Sequence, residues 1–334
     1  MGTAQAGRAT TVVRSSQATS GTAVLVNPRS FRLGQRSCLA DIERGAERHA
    51  VPVNVVEGPA DIADVLKSPG AETLKRLIVV GGDGTVQALV SLLATRPAPS
   101  RPGLLILGGG RTNFTARDLN THARLDALLA LALRGGHHWH EVSRPLLSLQ
   151  QDGMESPLYG FFVAAALVDH VIRDCHDYRT RHRDWLRTGH LSSILRVAQL
   201  GFLGLLGRSD FDPPLMTIDA EGLGQLESPM RILIASSLEH ADGWLDPYAA
   251  RGDGAVRVTA VSTAARGFWR NLPSLLRGRF DPGMQPSTGY LSGRTSSVRL
   301  RGLSSVCIDG QEFSLDPTRE TTLQAGAEIK FLTP

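Results

Sequence analysis

The apolar positions of this chain follow two rhythms. Up to about residue 107, short apolar runs alternate with segments whose apolar residues recur at helical spacing. Thr22 to Val26 is a run stopped by Asn27-Pro28, which predicts a strand ending in a turn. Residues 35–49 place Leu39, Ile42 and Ala46 on one helical face, Val51 to Val56 predicts a second strand, and Ile62, Val65 and Leu66 mark a short helix. Leu77-Ile78-Val79-Val80 reads as a third, buried strand, and Val86, Leu89, Val90 and Leu93 as the helix after it. Pro97, Pro99 and Pro102 then break the chain before a fourth strand, Leu104 to Leu107. Alternating strands and helices with short connections predict a parallel sheet covered on both faces.

Beyond residue 140 the rhythm changes. Leu146–Leu149, Leu158–Ala165, Leu215–Ile218, Met230–Ala235, Val256–Val261, Thr295–Leu300, Ser304–Ile308 and Glu328–Leu332 are short strand candidates. An antiparallel sandwich is the simplest way to bury them. The fold class is therefore an α/β N-terminal domain with a parallel sheet, followed by a β-rich C-terminal sandwich. Expected boundaries are a disordered leader over residues 1–20, the α/β domain over 21–140, the sandwich over 141–317 and a last segment, 318–334. Residues 169–208 form a mixed insert with seven arginines from Arg173 to Arg208, among Trp185, Leu191, Ile194, Leu195 and Phe202. It reads either as a basic, apolar helical region lying on an anionic membrane or as a helical insert packed on the sandwich with solvated arginines; the second is favoured for most of its residues.

Composition narrows the classes. With 334 residues, 42% hydrophobic and 20% charged, the chain is long enough for two domains with real cores. Cys38, Cys175 and Cys307 offer neither a disulfide framework nor a zinc spacing, so a reducing cytoplasm is the default. Residues 1–20 lack the apolar core of a signal peptide. The apolar run Val197 to Leu206 is too short for a bilayer, so no transmembrane segment is expected. Lysine occurs only as Lys67, Lys75 and Lys330, and no Gly-x-x-x-x-Gly-Lys-Ser/Thr is present. Any phosphate site must then use backbone amides and arginine. Basic and aromatic residues do not interleave as in nucleic-acid modules, so no nucleic-acid partner is expected.

The candidate chemistry lies at Gly81-Gly82-Asp83-Gly84-Thr85. Strand, glycine turn and helix point backbone N–H groups at an anion. A carboxylate there is repelled by bare phosphate, so Asp83 makes sense beside a metal ion or a proton to be moved. The loop after the fourth strand, Gly108 to Leu119, could form a facing backbone cradle. In parallel sheets ligands sit beyond the carboxyl ends of the strands, where Asn27 would also lie. His138 and His140 would share a strand face, as two metal ligands do, but no third spaced ligand is evident and a surface or packing role is expected. Trp244 is expected to be a core or rim aromatic.

Val26-Asn27-Pro28, Gly81 to Thr85, Gly110 to Arg117, Asp253 to Val258 and Ile308-Asp309-Gly310-Gln311 together resemble the diacylglycerol kinase catalytic family, which includes bacterial lipid kinases and sphingosine kinases. The likeness spans roughly residues 22 to 332 in the family's order. It implies a first domain like that of phosphofructokinases and NAD kinases, a last segment packing back on that domain, and transfer of the γ-phosphoryl of ATP to a lipid hydroxyl. The nucleotide would be held by Asn27, Gly81, Gly82, Asp83, Gly84, Thr85, Val86, Gln87, Gly110, Arg111, Thr112 and Asn113. Asp83 would hold Mg²⁺ or orient the acceptor hydroxyl, and Asp253, with the carbonyls of Ala250 and Ala255, resembles a structural Mg²⁺ site. By the residues alone, Asp253-Gly254 reads as well as a plain turn. The implied partner is a lipid of the diacylglycerol or sphingoid type, met by peripheral contact at the inner face of a membrane; a homodimer is left open.

Three positions depart from the family. Arg111 stands where a nucleotide-contacting threonine is usual, and Phe114 replaces the aspartate after Asn113, with Asp118 one helical turn on. Gln311 replaces the glutamate assigned as proton acceptor. An amide cannot serve as a general base, and Asp309 is the nearest substitute, since Glu312 would point to the opposite face of an extended strand. A nucleotide- or lipid-binding regulator with weakened kinase activity is thus an alternative. An enzyme of the NAD kinase kind is another, although no Asn-Glu pair for an acceptor ribose is found.

Overall fold

The computed structural model describes residues 21–30, 36–110, 113–122, 125–134, 137–168, 212–239 and 246–334. These fall into two compact units. The first takes in the described residues up to Leu89, Pro99–Val142 and Lys330–Pro334, and the second Val90–Ala98 and Ser143–Ile329. The predicted leader, the arginine-rich insert 169–208, Trp244, Arg111 and Thr112 lie outside the described residues.

In the first unit, β1 (Thr22–Val26), β2 (Val53–Val55), β3 (Arg76–Gly81) and β4 (Gly103–Gly108) form a parallel sheet in the order β2-β1-β3-β4. Around it come α1 (Arg36–Arg48), α2 (Pro59–Lys67), α3 (Asp83–Ala94), α4 (Phe114–Asp118) and α5 (Leu125–Arg134). Alternate strand residues share a face, and Val24, Val26, Ile78, Val80, Leu105 and Leu107 pack with Ile42 and Ala46 of α1 and Leu128, Leu129, Ala132 and Leu133 of α5. Each such side chain, fully buried, contributes roughly 1.5–3 kcal/mol of transfer free energy. β1, β3 and β4 are buried on both faces, as their near-continuous apolar runs require, while the edge strand β2 is half-buried. Phe331 adds one further parallel pairing, to Leu104.

The second unit is antiparallel apart from its helices. Its long strand β9 (Gly224–Ser236) belongs to two sheets. The first half pairs with β8 (Leu215–Ala220), which continues through β12 (Ser297–Arg301) to β15 (Thr321–Thr333). The second half pairs with β7 (Phe162–Ala166) on one side and β10 (Val256–Ser262) on the other; β10 leads to β11 (Tyr290–Thr295), and β7 to β13 (Ser305–Ile308) and β14 (Gln311–Ser314). One apolar core lies between them, including Met216, Ile218, Met230, Leu233, Val258, Leu291, Val298, Val306 and Leu323. β5 (His140–Gln151) pairs with β6 (Leu158–Gly160), and α6 (Phe268–Leu275) lies between β10 and β11. The fold class read from the hydrophobic pattern, parallel α/β followed by a β-rich sandwich, is the one found.

Two expected strands are broken. Thr295–Leu300 is interrupted at Ser296, so that β11 serves one sheet and β12 the other; Thr295 Oγ1 bridges the break, its single proton shared between the carbonyls of Glu221 and Ser297, each 2.9 Å away. Leu158–Ala165 is interrupted at Phe161, where the backbone amides turn toward a carboxylate described below. Helices α5 and α6 and strand β14 fall outside the predicted elements. No helix among the described residues is long and apolar enough to cross a membrane.

Candidate functional site

The carboxyl ends of β1, β3 and β4 meet at two glycine turns. Gly109 N–H donates 2.7 Å to the carbonyl of Gly81, which ties the turn after β4 to the turn after β3. Helix α3 begins at Asp83 itself, earlier than its apolar spacing suggests, and the amides of Thr85 and Val86 both donate to the carbonyl of Gly82. Bare backbone is needed here. A Cβ on Gly110 would lie 2.7 Å from the Cα of Gly82, and one on Gly81 would lie 2.9 Å from the Cβ of Thr85.

Side chains brace the same turns. Asn27 Nδ2 donates to Thr85 Oγ1 at 2.9 Å, and Asn27 Oδ1 accepts the Arg29 amide. Asn113 adopts φ +50° and is buried. Its Oδ1 accepts the Gly110 amide at 2.7 Å while its Nδ2 donates to the Gly110 carbonyl at 2.8 Å, so that this one side chain folds the second turn. A Cβ on Gly108 would stand 2.8 Å from the Asn113 Cγ. Ser30 was not singled out from the sequence, yet its Oγ accepts the Gly82 amide at 3.1 Å. The only signal for it is its place in the turn that follows Asn27-Pro28, where its amide donates to the Asn27 carbonyl.

Asp83 sits under the second turn. Burial pushes its carboxyl above the usual carboxylate range, while N–H groups of Thr115, Phe114 and Asn113 and the positive charge of Arg117 pull it back. These amides open α4, so the carboxylate of the first turn serves as the anion at the start of the helix after the second. Asp118 is also buried, and Phe114 is 38% exposed. Val86 and Gln87 are buried in α3. Asn27, Gly81 to Thr85, Gly110 and Asn113 are thereby brought together.

The remaining expected site residues belong to the second unit. Asp309 and Gly310 form a two-residue hairpin turn, with φ +47° and +86°, between Ile308 and its partner Gln311. The Asp309 carboxylate is held by two amides, Phe161 N–H at 2.9 Å and Phe162 N–H at 2.8 Å, and its own amide donates to the Phe162 carbonyl. Gln311 and Glu312 are exposed on β14. Asp253 stands exposed between Gly252 (φ +77°) and Gly254 (φ +135°), in a turn fastened to β11 where the Arg294 amide donates to the Arg251 carbonyl. Among the described residues no three His, Cys, Asp or Glu side chains converge as metal ligands, so an ion at Asp253 would depend on carbonyls such as those of Ala250 and Ala255. His138 and His140 meet edge to face, with ring centroids 5.9 Å apart.

Residues 22–143 match the family model of the diacylglycerol kinase catalytic domain. No curated protein matches the chain. Two crystal structures described as a candidate diacylglycerol kinase from Bacillus anthracis strain Sterne share the fold, each with TM-score 0.64 and 16% identity over 94% of this chain; the match covers 96% of one and 97% of the other. A third, described as a diacylglycerol kinase from the same strain, has TM-score 0.56 and 15% identity over 94% of this chain and 96% of its own. Residues 22–143, which carry the paired glycine turns at the ends of β3 and β4, are thus similar to the diacylglycerol kinase catalytic domain, and the whole chain shares the fold of these structures.

Proposed function

We propose that this protein is an ATP-dependent lipid kinase, transferring the γ-phosphoryl group of Mg-ATP to a hydroxyl of a diacylglycerol- or sphingoid-type lipid. The observation that carries this reading is the close approach of Gly82 and Gly110, which leaves two backbone turns with no side chain between them. Such a surface suits phosphate oxygens, which are bound by amides without steric hindrance. Phosphoryl transfer passes through a loose transition state, so positioning and charge neutralisation are most of what a protein must supply.

In this reading Gly81, Gly82, Gly84, Gly110, Arg111 and the first turn of α3 at Thr85, Val86 and Gln87 hold the phosphates, with Thr112 at the same loop. Asn27 and Asn113 act through the turns they brace. Asp83 orients the acceptor hydroxyl or holds Mg²⁺, and its burial keeps a titratable carboxyl beside the phosphate turns. Asp309, in the turn that precedes Gln311, is the carboxylate assigned to proton removal. Asp253, with the carbonyls of Ala250 and Ala255, would hold a second, structural Mg²⁺; glycine is needed at position 254 of its turn because a Cβ there would strike the backbone of Thr295 and Ser296. When bound, Mg²⁺ supplies neutralising charge to the phosphates.

A second reading has its own support. The Gly82 amide is taken by Ser30, the Asp83 carboxylate by three amides, the Asp309 carboxylate by two, and Gln311 carries no titratable group. A protein that binds nucleotide or lipid with weakened or lost turnover would be built this way. Incubation with radiolabelled ATP and a total lipid extract, resolved by chromatography, separates the two. A labelled lipid formed by the wild type and lost in Asp83→Asn supports the kinase. Mg-ATP binding by calorimetry without any labelled lipid would select the regulator.

A further inference from the structure

Helix α6 turns a basic and aromatic stripe outward. Its inner side, Phe268 and Leu275, is buried in a small core with Val261, Ala265, Met284 and Tyr290. The opposite side presents Arg266, just before the helix, then Trp269, Arg270, Pro273 and, just after it, Arg277. All five are exposed. Trp269, Arg270, Pro273 and Arg277 follow helical spacing on one face, and Arg266 precedes it across Gly267. No Asp or Glu occurs between Thr263 and Phe280, and Arg279 adds a further exposed charge. Among the described residues Arg266, Arg270 and Arg277 make no ion pair. Arg266 is fixed instead by its backbone carbonyl, which accepts from Tyr290 OH at 2.9 Å and leaves the guanidinium outside.

The aromatic residue is what a solvated arginine face does not explain. Trp269 is 45% exposed, its ring edge-on to Phe268 with centroids 5.2 Å apart. A second exposed apolar side chain is linked to this segment through backbone pairing. Leu215, 64% exposed, pairs with Pro229, whose carbonyl accepts the amide of Thr263, three residues before Arg266. The exposed parts of an indole and a leucine gain free energy when an apolar phase covers them.

We propose that the α6 face is a docking surface for an anionic lipid bilayer. Trp269 and Leu215 enter the headgroup boundary while Arg266, Arg270 and Arg277 meet the lipid phosphates. Charge complementarity points this way, because a face of arginines with no acidic partner matches a surface of negative headgroups. The indole chooses between polyanions. A single exposed aromatic ring offers no platform for successive bases, whereas an aromatic residue flanked by arginines is the arrangement of helices that lie in a membrane interface. Arginine stays charged throughout the neutral range, so docking does not titrate there. The lipid-kinase reading gives this surface its purpose, but the surface can be measured without turnover.

The test uses the full chain and sedimentation with vesicles of phosphatidylcholine, alone or mixed with phosphatidylglycerol. Binding is expected only to the mixed vesicles, weakening as salt rises. Tryptophan emission should shift to the blue on binding, and Trp269→Phe should lose that shift. A triple variant, Arg266→Gln with Arg270→Gln and Arg277→Gln, should bind about fivefold more weakly per arginine, or ~100-fold in all. Its activity on detergent-dispersed lipid should match the wild type, so a dead enzyme and a wrong surface give different results. Undiminished binding by the triple variant, equal binding to neutral vesicles, or displacement by an oligonucleotide that the triple variant no longer binds would overturn the proposal.

Discussion

Gly110 approaches Gly82 so closely that a Cβ on Gly110 would lie 2.7 Å from the Gly82 Cα, and 3.0 Å from the Asn113 Oδ1 that folds its own turn. The first obstacle is backbone, and the second is a side-chain end held in place by two hydrogen bonds to Gly110. The backbone would have to move, and both glycine turns with it. Gly110→Ala is therefore expected to cost about 1–3 kcal/mol of stability, the usual range for overpacking, and to abolish Mg-ATP binding. Gly283, with open space around it and no positive φ, supplies the control: Gly283→Ala should leave both quantities unchanged within ~0.5 kcal/mol. Thermal melting and calorimetric titration with Mg-ATP measure the pair. Full nucleotide affinity in Gly110→Ala would remove the paired turns from the site.

Asp83 makes a prediction whose sign is fixed by burial. Its folded pKa is raised, so between the ordinary carboxylate pKa and that raised value the folded state holds more protons than the unfolded one. Stability from this group is then present at low pH and lost as pH rises through the window. In Asp83→Asn the group no longer titrates. The stability of the wild type relative to Asp83→Asn should accordingly increase as the pH is lowered from neutrality through the raised pKa. Melting curves of the two proteins across that range give the difference directly. A gap that stayed constant with pH would mean that the carboxylate is no more buried in effect than in the unfolded chain. Kinase activity, unlike stability, should vanish in Asp83→Asn at every pH.

Much of this architecture was legible because burial writes itself into composition. The runs Ala23–Val26, Leu77–Val80 and Leu104–Leu107 are apolar throughout, as strands covered on both faces must be, and each falls within an observed strand. The glycine turns were legible for a related reason, since only glycine lets two backbones touch. What the sequence hid was the partner of each polar group. Nothing local says that Ser30 accepts the Gly82 amide, or that Asn113 turns back on Gly110, because hydrogen bonds between loops carry no periodicity. The break at Ser296 was equally hidden: two strands of similar composition join end to end, and only their different neighbours distinguish them. Helix α6 interrupts its own pattern with Pro273.

Asp309 has a structural task that can be separated from a chemical one. Its carboxylate accepts the amides of Phe161 and Phe162 where the chain passes from β6 to β7, and Phe161 is fully buried. Asp309→Ala would strand both donors and place alanine at φ +47°. A loss of about 1–3 kcal/mol is expected for an unsatisfied buried amide. Asp309→Asn keeps an acceptor and tolerates the left-handed backbone, so it should lose less. Chemical denaturation orders the three proteins. If Asp309→Asn then retains full turnover, Asp309 braces the turn and takes no proton.

Gln311 lies across the hairpin from Ile308, at the first residue of β14, with its side chain exposed. A family glutamate at this place would bring a titratable carboxylate, and a general base is typically worth ~10²–10⁴ in rate. Gln311→Glu is nearly isosteric and exposed, so it should fold as the wild type does. Its expected effect is a rise in kcat of at least ~10-fold, appearing as pH climbs through the glutamate range, with KM for ATP little changed. Glu312→Gln, one residue on, is the matched control and should leave turnover as it was. The comparison also decides between the two proposed readings. A wild type that turns over slowly and is accelerated by Gln311→Glu is a kinase limited by its proton acceptor. If Gln311→Glu binds Mg-ATP and still labels no lipid, the limit lies at the phosphate turns, and the amides that hold Asp83 and the Ser30 contact to Gly82 become the features that keep the domain silent.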